Sequence, residues 1–274
     1  MSYPAERIVC LTEETVETLY LLGEERRIVG VSGYAVRPAR VRREKPRVSA
    51  FISADVPKIL ALEPDLVLAF SDLQAHIVRD LIKAGVTVHV FNHRDVAGIY
   101  AMIRTVGALV AAFEQADALA TELAARVDDV RRASSLLRRR PRVYFEEWDD
   151  PMICGIRWIS ELIEIAGGED VFAERSLSAG AQGRVVTARE VAEAAPDVII
   201  GSWCGKKFVP DRVRARPELA TVPAVRTGAL HEIKAPLILQ PGPAALTDGL
   251  AELQRIVAAA AETWADASAN ASLT

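Results

Sequence analysis

The sequence holds few of the residues that most often carry chemistry. Among 274 residues there are three cysteines and four histidines, and aromatic residues make up 6%. Cys10, Cys154 and Cys204 are odd in number, far apart and without CxxC spacing, so they predict reduced thiols and not a disulfide framework. Cys204 precedes Gly205-Lys206-Lys207, where cations would lower a thiol pKa, but burial as an inert thiol is the expectation for it. His76, His89, His93 and His231 make no HExxH motif and no helical zinc pair; His89 and His93 straddle a strand end, leaving His93 at best a loop ligand. GxSxG, GxGxxG and GxxxxGK[ST] are absent, so nucleophilic hydrolases, dinucleotide folds and phosphate loops find no support. No apolar run approaches the roughly 18 residues of a membrane helix, and no membrane insertion is expected.

Also absent at the start is a secretory pattern. Met1 to Arg7 leads directly into Ile8–Leu11 and then Glu13 and Glu14, with no basic start, apolar stretch and small-residue cleavage site. A cytoplasmic location is the expectation, or a periplasmic one if a leader precedes this sequence. Lys and Arg number 33 against 37 Asp and Glu, a net charge of -4, which argues against a nucleic-acid partner.

What is present is an alternation. Half the residues are hydrophobic, enough for a sizeable core. Arg7–Leu11, Ile28–Val31, Asp65–Phe70 and Val86–Phe91 read as short apolar strands, with helices over Thr15–Leu22, Val56–Leu62 and Leu73–Ala84 and a Pro- and Arg-rich loop after the second strand. Apolar strands alternating with helices predict a parallel sheet covered on both faces. From about Val96 to Arg139 the apolar residues recur every three or four, which predicts a helix or helix pair longer than the usual span of about 8 to 20 residues. It ends at Arg138-Arg139-Arg140-Pro141.

The second half repeats the first. Arg142–Phe145 mirrors the first strand. Glu193-Ala194-Ala195-Pro196-Asp197 before Val198-Ile199-Ile200 mirrors Leu62-Glu63-Pro64-Asp65 before Leu66-Val67-Leu68. The prediction is an α/β protein of two Rossmann-like lobes with parallel sheets: residues 1–95, a connecting backbone helix over 96–140, and residues 141–274.

In open α/β sheets ligands bind beyond the carboxyl ends of the strands. The segments there are Thr12–Glu14, Gly33–Pro38, Ser71–Gln74, Asn92–Asp95, Glu146–Trp158, Ser202–Phe208 and Lys234–Gly242. They hold Tyr34, Trp148, Trp158 and Trp203, whose flat rings suit a broad, partly apolar ligand or pack the lobes, with Trp158 the leading core candidate. Two basic stretches, Arg37–Arg47 and Lys206–Arg216, are mostly solvated loops, though one or two of their cations suit anionic or amide groups on a ligand. Glu146, Glu147, Asp149 and Asp150 surround Trp148, and Glu13 and Glu14 raise the same question at the first strand end: solvated acids, or acceptors for a cation or ligand amides.

Taken together, Arg7–Leu11 through Leu22-Gly23, Ile28–Ser32 with Tyr34 and Pro38, Ile59–Val67, Glu161–Glu169 and Gln240-Pro241-Gly242-Pro243 resemble the cobalamin-binding proteins of the helical-backbone class of ABC-transporter solute-binding proteins. The likeness runs in order along nearly the whole chain. The same class includes receptors for ferric siderophores and haem. The resemblance implies a corrinoid or similar metal-chelate ligand clamped between two lobes, cobalamin as ligand and no intrinsic cofactor, no catalysis, and a leaderless member of the class. Tyr34, Trp148 and Trp203 are the expected ring-face contacts, with Glu13, Arg157, Lys206 and Gln240 as polar contacts. Relatives have a small Ala- or Ser-Pro turn where this chain has Thr12-Glu13-Glu14. Secreted relatives also dock one Glu per lobe on arginines of a permease; those positions here hold Pro57 and Arg189, and a one-residue shift would offer Glu190. Two other expectations stand beside the carrier: a substrate-binding component of an ABC importer for cobalamin, siderophore or haem, and a metal-dependent enzyme or sensor using Glu13, Glu14, Glu146, Asp149 and His93.

Overall fold

The computed structural model describes residues 3–271, with side chains to residue 262; residues 1–2 and 272–274, the outer ends of the two expected lobes, lie outside the described residues. The chain divides into two compact units. Unit 1 comprises residues 1–93, 97–124 and 240–244, and unit 2 comprises residues 94–96, 125–239 and 245–274.

Unit 1 is built on a five-stranded sheet. Its strands are β1 (Ile8–Cys10), β2 (Ile28–Ser32), β3 (Arg47–Ser49), β4 (Leu66–Phe70) and β5 (Val88–Phe91), ordered β3-β2-β1-β4-β5. All neighbours run parallel. The chain passes from β1 to one side and returns to pair β4 on the other, so the topological switch point lies at the central strand β1. β3 was not anticipated: its three residues sit inside the Arg- and Pro-rich stretch, where composition masks the only buried one, Val48.

Unit 2 carries β6 (Arg142–Asp149), β7 (Met152–Cys154), β8 (Glu169–Asp170), β9 (Val198–Gly201) and β10 (Leu230–Glu232), ordered β10-β9-β6-β7 with β8 beside the start of β6. This sheet is not wholly parallel as expected, because β7 folds back antiparallel on β6. The segment expected as a loop from Glu146 is therefore a hairpin.

The repeat has a physical basis. Glu63 and Ala195 are both non-glycine residues in the left-handed region, with φ of 46° and 43°, and each ends a helical turn before Pro-Asp. Asp65 accepts the backbone N–H of Glu6 at 2.8 Å and of Arg7 at 3.0 Å; Asp197 accepts that of Arg142 at 2.8 Å. The Arg7 guanidinium donates to the Leu62 and Glu63 carbonyls, and Arg142 Nε donates to the Ala194 carbonyl at 3.1 Å. In each unit one clamp starts the central strand and caps the preceding helical turn, satisfying carbonyls a helix end leaves unpaired.

The expected connector is two helices, Val96–Leu109 and Phe113–Ser134. Between them Ala111 adopts a left-handed φ of 60° and breaks the run. The first opens with Val96 in unit 2 and otherwise belongs to unit 1; the second, 22 residues long, passes from unit 1 into unit 2. Gln240–Ala244 groups with unit 1, not with the second lobe where it was expected. No helix among the described residues is long and apolar enough to cross a membrane.

Candidate functional site

In unit 1 the carboxyl ends of five parallel strands open on one edge of the sheet. Three apolar side chains stand exposed there, each just after a strand: Tyr34 beyond β2, at 49% exposure, Ile52 beyond β3 and Leu73 beyond β4. Tyr34 belongs to the expected contacts; Ile52 and Leu73 do not, since an Ile or Leu at a strand end reads as core in the sequence. Gln74, next to Leu73 in the chain, is fully buried. Its Oε1 accepts the Phe70 N–H at 3.0 Å, and its Nε2 donates to the carbonyls of Leu11 at 3.3 Å and Phe51 at 2.8 Å. One amide thereby joins the loops after β1, β3 and β4. Beside it Ser71 holds a left-handed φ of 67°, a strained backbone of the kind that collects at functional sites.

At the centre of this edge, directly after β1, the helix Glu13–Leu21 begins. Thr12 makes no capping bond with its side chain; its hydroxyl donates to Glu14 Oε1 at 2.5 Å instead. Glu14 is 1% exposed. The Oε2 atoms of both Glu13 and Glu14 are buried without a hydrogen-bond partner, and no cation pairs with either carboxyl among the described residues. Burial pushes Glu13 up to about 7. It pushes Glu14 further, to about 8, against the Thr12 hydrogen bond and with help from the neighbouring Glu13 charge. On the next turn of the helix, Glu17 does have a cation: Arg37 Nε donates to it at 2.9 Å. Glu17 also accepts the Ala244 N–H at 3.0 Å, which ties the Gln240–Ala244 segment to this helix. A Cβ on Gly242 would meet Glu14 Cβ at 2.5 Å, so glycine permits the close approach of this segment to the Glu14 backbone and Cβ. Gln240 itself is half-buried on the same segment. His93 Nε2–H donates to the Pro241 carbonyl at 2.8 Å, with its ring edge-on to Phe70 at 5.3 Å; it anchors the segment and is not a spare loop ligand.

Unit 2 places its own acids at the same topological position, the carboxyl end of the central strand β6, and compensates them. Glu146 is fully buried and receives Arg216 at 2.5 and 3.1 Å, Trp203 Nε1–H at 2.9 Å and the Tyr144 hydroxyl at 3.1 Å. Glu147 is held by the buried Arg184 at 2.5 and 3.3 Å. Asp149 pairs with Lys206 and with Arg212 at 3.2 Å. Burial alone would raise the Asp149 carboxyl, but the Lys206 ammonium outweighs it and holds the group below the usual carboxylate range.

The expected ring contacts separate here. Trp203 is 2% exposed, edge-on to Phe208 at 5.0 Å, inside the core of unit 2. It is a core residue and presents no face for a ligand. Gly201 makes this possible, since a Cβ there would lie 1.9 Å from the Phe208 ring. Trp148 is half-buried, its Nε1–H donating to the Asp150 carbonyl at 2.8 Å and its ring covered by the Lys206 ammonium at 3.9 Å from the centroid. Arg157 pairs with Asp95 at 3.3 Å and Glu161 at 2.9 Å and remains partly exposed. Trp158 is core, as the sequence indicated, donating to the Ile238 carbonyl at 3.0 Å.

Cys10 and Cys154 are buried, and burial pushes both thiols up to about 12. Cys204, expected buried, is exposed on the turn after β9. Among the described residues no three His, Cys, Asp or Glu side chains gather as a metal-binding group. Pro57 lies in the first turn of the short helix Val56–Leu60. Arg189 is 83% exposed and pairs with Glu193 at 2.8 Å. Glu190 closes the capping box with Thr187 and pairs with Arg175, so it offers no uncommitted carboxylate.

Residues 8–237 match the family described as periplasmic binding protein. A cobalamin-binding protein of Halobacterium salinarum is 30% identical over 172 residues, covering 62% of this chain and 47% of that protein. A vitamin B12-binding protein of Vibrio cholerae is 28% identical over 178 residues, covering 63% of each. The match thus spans between about half and under two thirds of these curated relatives. Among solved structures, the periplasmic haem-binding protein RhuT of a Roseiflexus species superposes with a TM-score of 0.81 at 22% identity, over 94% of this chain and 99% of that one. The periplasmic vitamin B12-binding protein BtuF of Vibrio cholerae does so with a TM-score of 0.77 at 24% identity, over 94% and 98%.

Proposed function

The chain belongs to the periplasmic binding protein family, and on that premise we propose that it is a non-catalytic receptor for a corrinoid or a similarly broad metal chelate, held by the loops at the carboxyl edges of its sheets. One observation carries the reading: Tyr34, Ile52 and Leu73 are exposed just after β2, β3 and β4, at the carboxyl end of the same parallel sheet whose central strand runs into Glu13 and Glu14, each with an oxygen that lacks a partner. Exposed apolar side chains grouped with a few convergent polar atoms are what a large, partly apolar ligand requires. The relatives named for cobalamin and vitamin B12 support the corrinoid over other chelates. Tyr34, Ile52 and Leu73 supply apolar contact, Trp148 a partly covered ring, and Glu13, Arg157, Lys206 and Gln240 polar contacts. The ligand is cargo, and no resident cofactor is part of the proposal.

Docking on a permease through paired glutamates is not part of it either. Pro57 and Arg189 occupy the positions where the resemblance calls for carboxylates, and Glu190 is committed to its helix cap and Arg175. A cation facing arginines repels where a carboxylate would attract.

The test is titration of the protein with cobalamin and cobinamide, following Trp fluorescence and the corrinoid absorption bands, with haem and a ferric siderophore as parallel arms. Saturable changes with a corrinoid support the proposal. Saturation only with haem or the siderophore moves the ligand to another chelate, and no change with any of them at micromolar protein overturns it.

A further inference from the structure

The charge balance of unit 1 contains an anomaly that the packing does not resolve. A buried carboxylate without a cation or a full set of donors is costly, and proteins normally pair it or keep it protonated. Glu14 is 1% exposed, packs its Cα and Cβ against Gly242, accepts one hydrogen bond from Thr12, and has an Oε2 with none. Glu13, one residue before it, likewise has a buried Oε2 with none. Among the described residues no cation pairs with either carboxyl; Lys45, whose charge reaches Cys10, donates to the Glu25 and Ile28 carbonyls at 2.6 and 2.8 Å. The Cys10 thiol behind it stays neutral, because burial raises it to about 12. Glu17, on the next turn, is matched to Arg37. The returning segment contributes Gly242, and the Ala244 N–H goes to Glu17.

The pair follows the central strand β1, at the switch point of the sheet, where the geometry of open α/β folds places ligand. Unit 2 carries Glu146 and Glu147 at the corresponding place and fills every oxygen, with Arg216, Trp203, Tyr144 and Arg184. Among the described residues, the buried carboxylate oxygens without a partner are those of Glu13 and Glu14 on this edge.

We propose that Glu13 and Glu14 form a subsite for an N–H-bearing group of the ligand, a carboxamide or ammonium, whose hydrogens supply the partners that the two Oε2 atoms lack. The inference rests on the reading of the chain as a corrinoid receptor and adds the part of the ligand that is recognised. Thr12 fixes Glu14 Oε1 and leaves Oε2 to the ligand. In the ligand-free protein the pair keeps a proton at neutral pH, and an incoming N–H donor favours its ionised form.

The probes are cobinamide, whose periphery carries carboxamides, and the same corrin with those groups as methyl esters, which have no N–H. A hydrogen bond to a charged group predicts that the protein prefers the amide form by about ten-fold or more. In the Glu13→Gln/Glu14→Gln double variant, which keeps the shape of both side chains, that preference falls to within about two-fold while ester affinity is unchanged. Glu13→Ala serves as a second variant should the double one fail to fold, with a partial loss expected. Equal binding of amide and ester by the unmodified protein, or an undiminished preference in the variants, overturns the subsite and leaves the corrinoid reading standing. Binding of neither corrin overturns both.

Discussion

The two sheets end in the same place with the same kind of residue and opposite electrostatics. Glu13 and Glu14 follow central strand β1; Glu146 and Glu147 lie in central strand β6 where its parallel pairing with β9 ends. In unit 2 two arginines, an indole N–H and a phenol saturate the acids, and the cluster holds the β6-β7 hairpin against the turn after β9. In unit 1 the acids meet one hydroxyl and no cation. A paired carboxylate is a structural member. An unpaired buried one costs stability, and a binding protein can retain it when its partner arrives with the ligand.

The strongest way to break this contrast is to remove the compensation. Arg216→Met leaves Glu146 buried and without its guanidinium, and we expect a loss of about 3 to 5 kcal/mol in urea unfolding. Adding Glu146→Gln to that variant restores part of the loss, since the buried group is then neutral. If Arg216→Met unfolds like the unmodified protein, the unit 2 cluster is not the clamp described.

Unit 1 predicts the reverse. Glu13 and Glu14 have folded-state values of about 7 and about 8, above the 4.5 of an ordinary glutamate, so between those limits the folded state binds more protons than the unfolded one. The stability contributed is full below about 4.5 and is lost as pH rises through about 7 and 8. The Glu13→Gln/Glu14→Gln variant therefore gains up to several kcal/mol over the unmodified protein on the alkaline side of that window and little on the acid side. Thermal melts across pH check this; an unchanged difference across the window contradicts it.

Smaller effects sharpen the comparison. Gly242→Ala forces a Cβ toward Glu14 and should cost about 1 to 2 kcal/mol, read as a lower unfolding midpoint. Arg189→Ala removes an exposed pair with Glu193 and should leave the midpoint unchanged, the result expected of a surface ion pair.

The sequence revealed those parts of the fold that are encoded locally. Pro64-Asp65 and Pro196-Asp197 announce their strands because a left-handed residue, a proline and an aspartate each have a fixed conformational task within a few positions. The charge state of the acids has no such local signature. Arg216 lies 70 residues from Glu146 and Arg184 lies 37 from Glu147, so nothing around Trp148 distinguishes solvated acids from a neutralised cluster. Trp203 was misjudged for the same reason. Its burial depends on Phe208 fitting over Gly201, and that glycine was the available signal. Ile52 and Leu73 were missed because exposure of an apolar residue is decided by tertiary packing.

Whether this chain holds a broad metal chelate is tested most directly by identifying what stays bound to the purified protein, by native mass spectrometry and visible absorption. A corrinoid or related chelate, with its absorption bands, is expected at one per chain. A sugar, peptide or nucleotide in that place would contradict it.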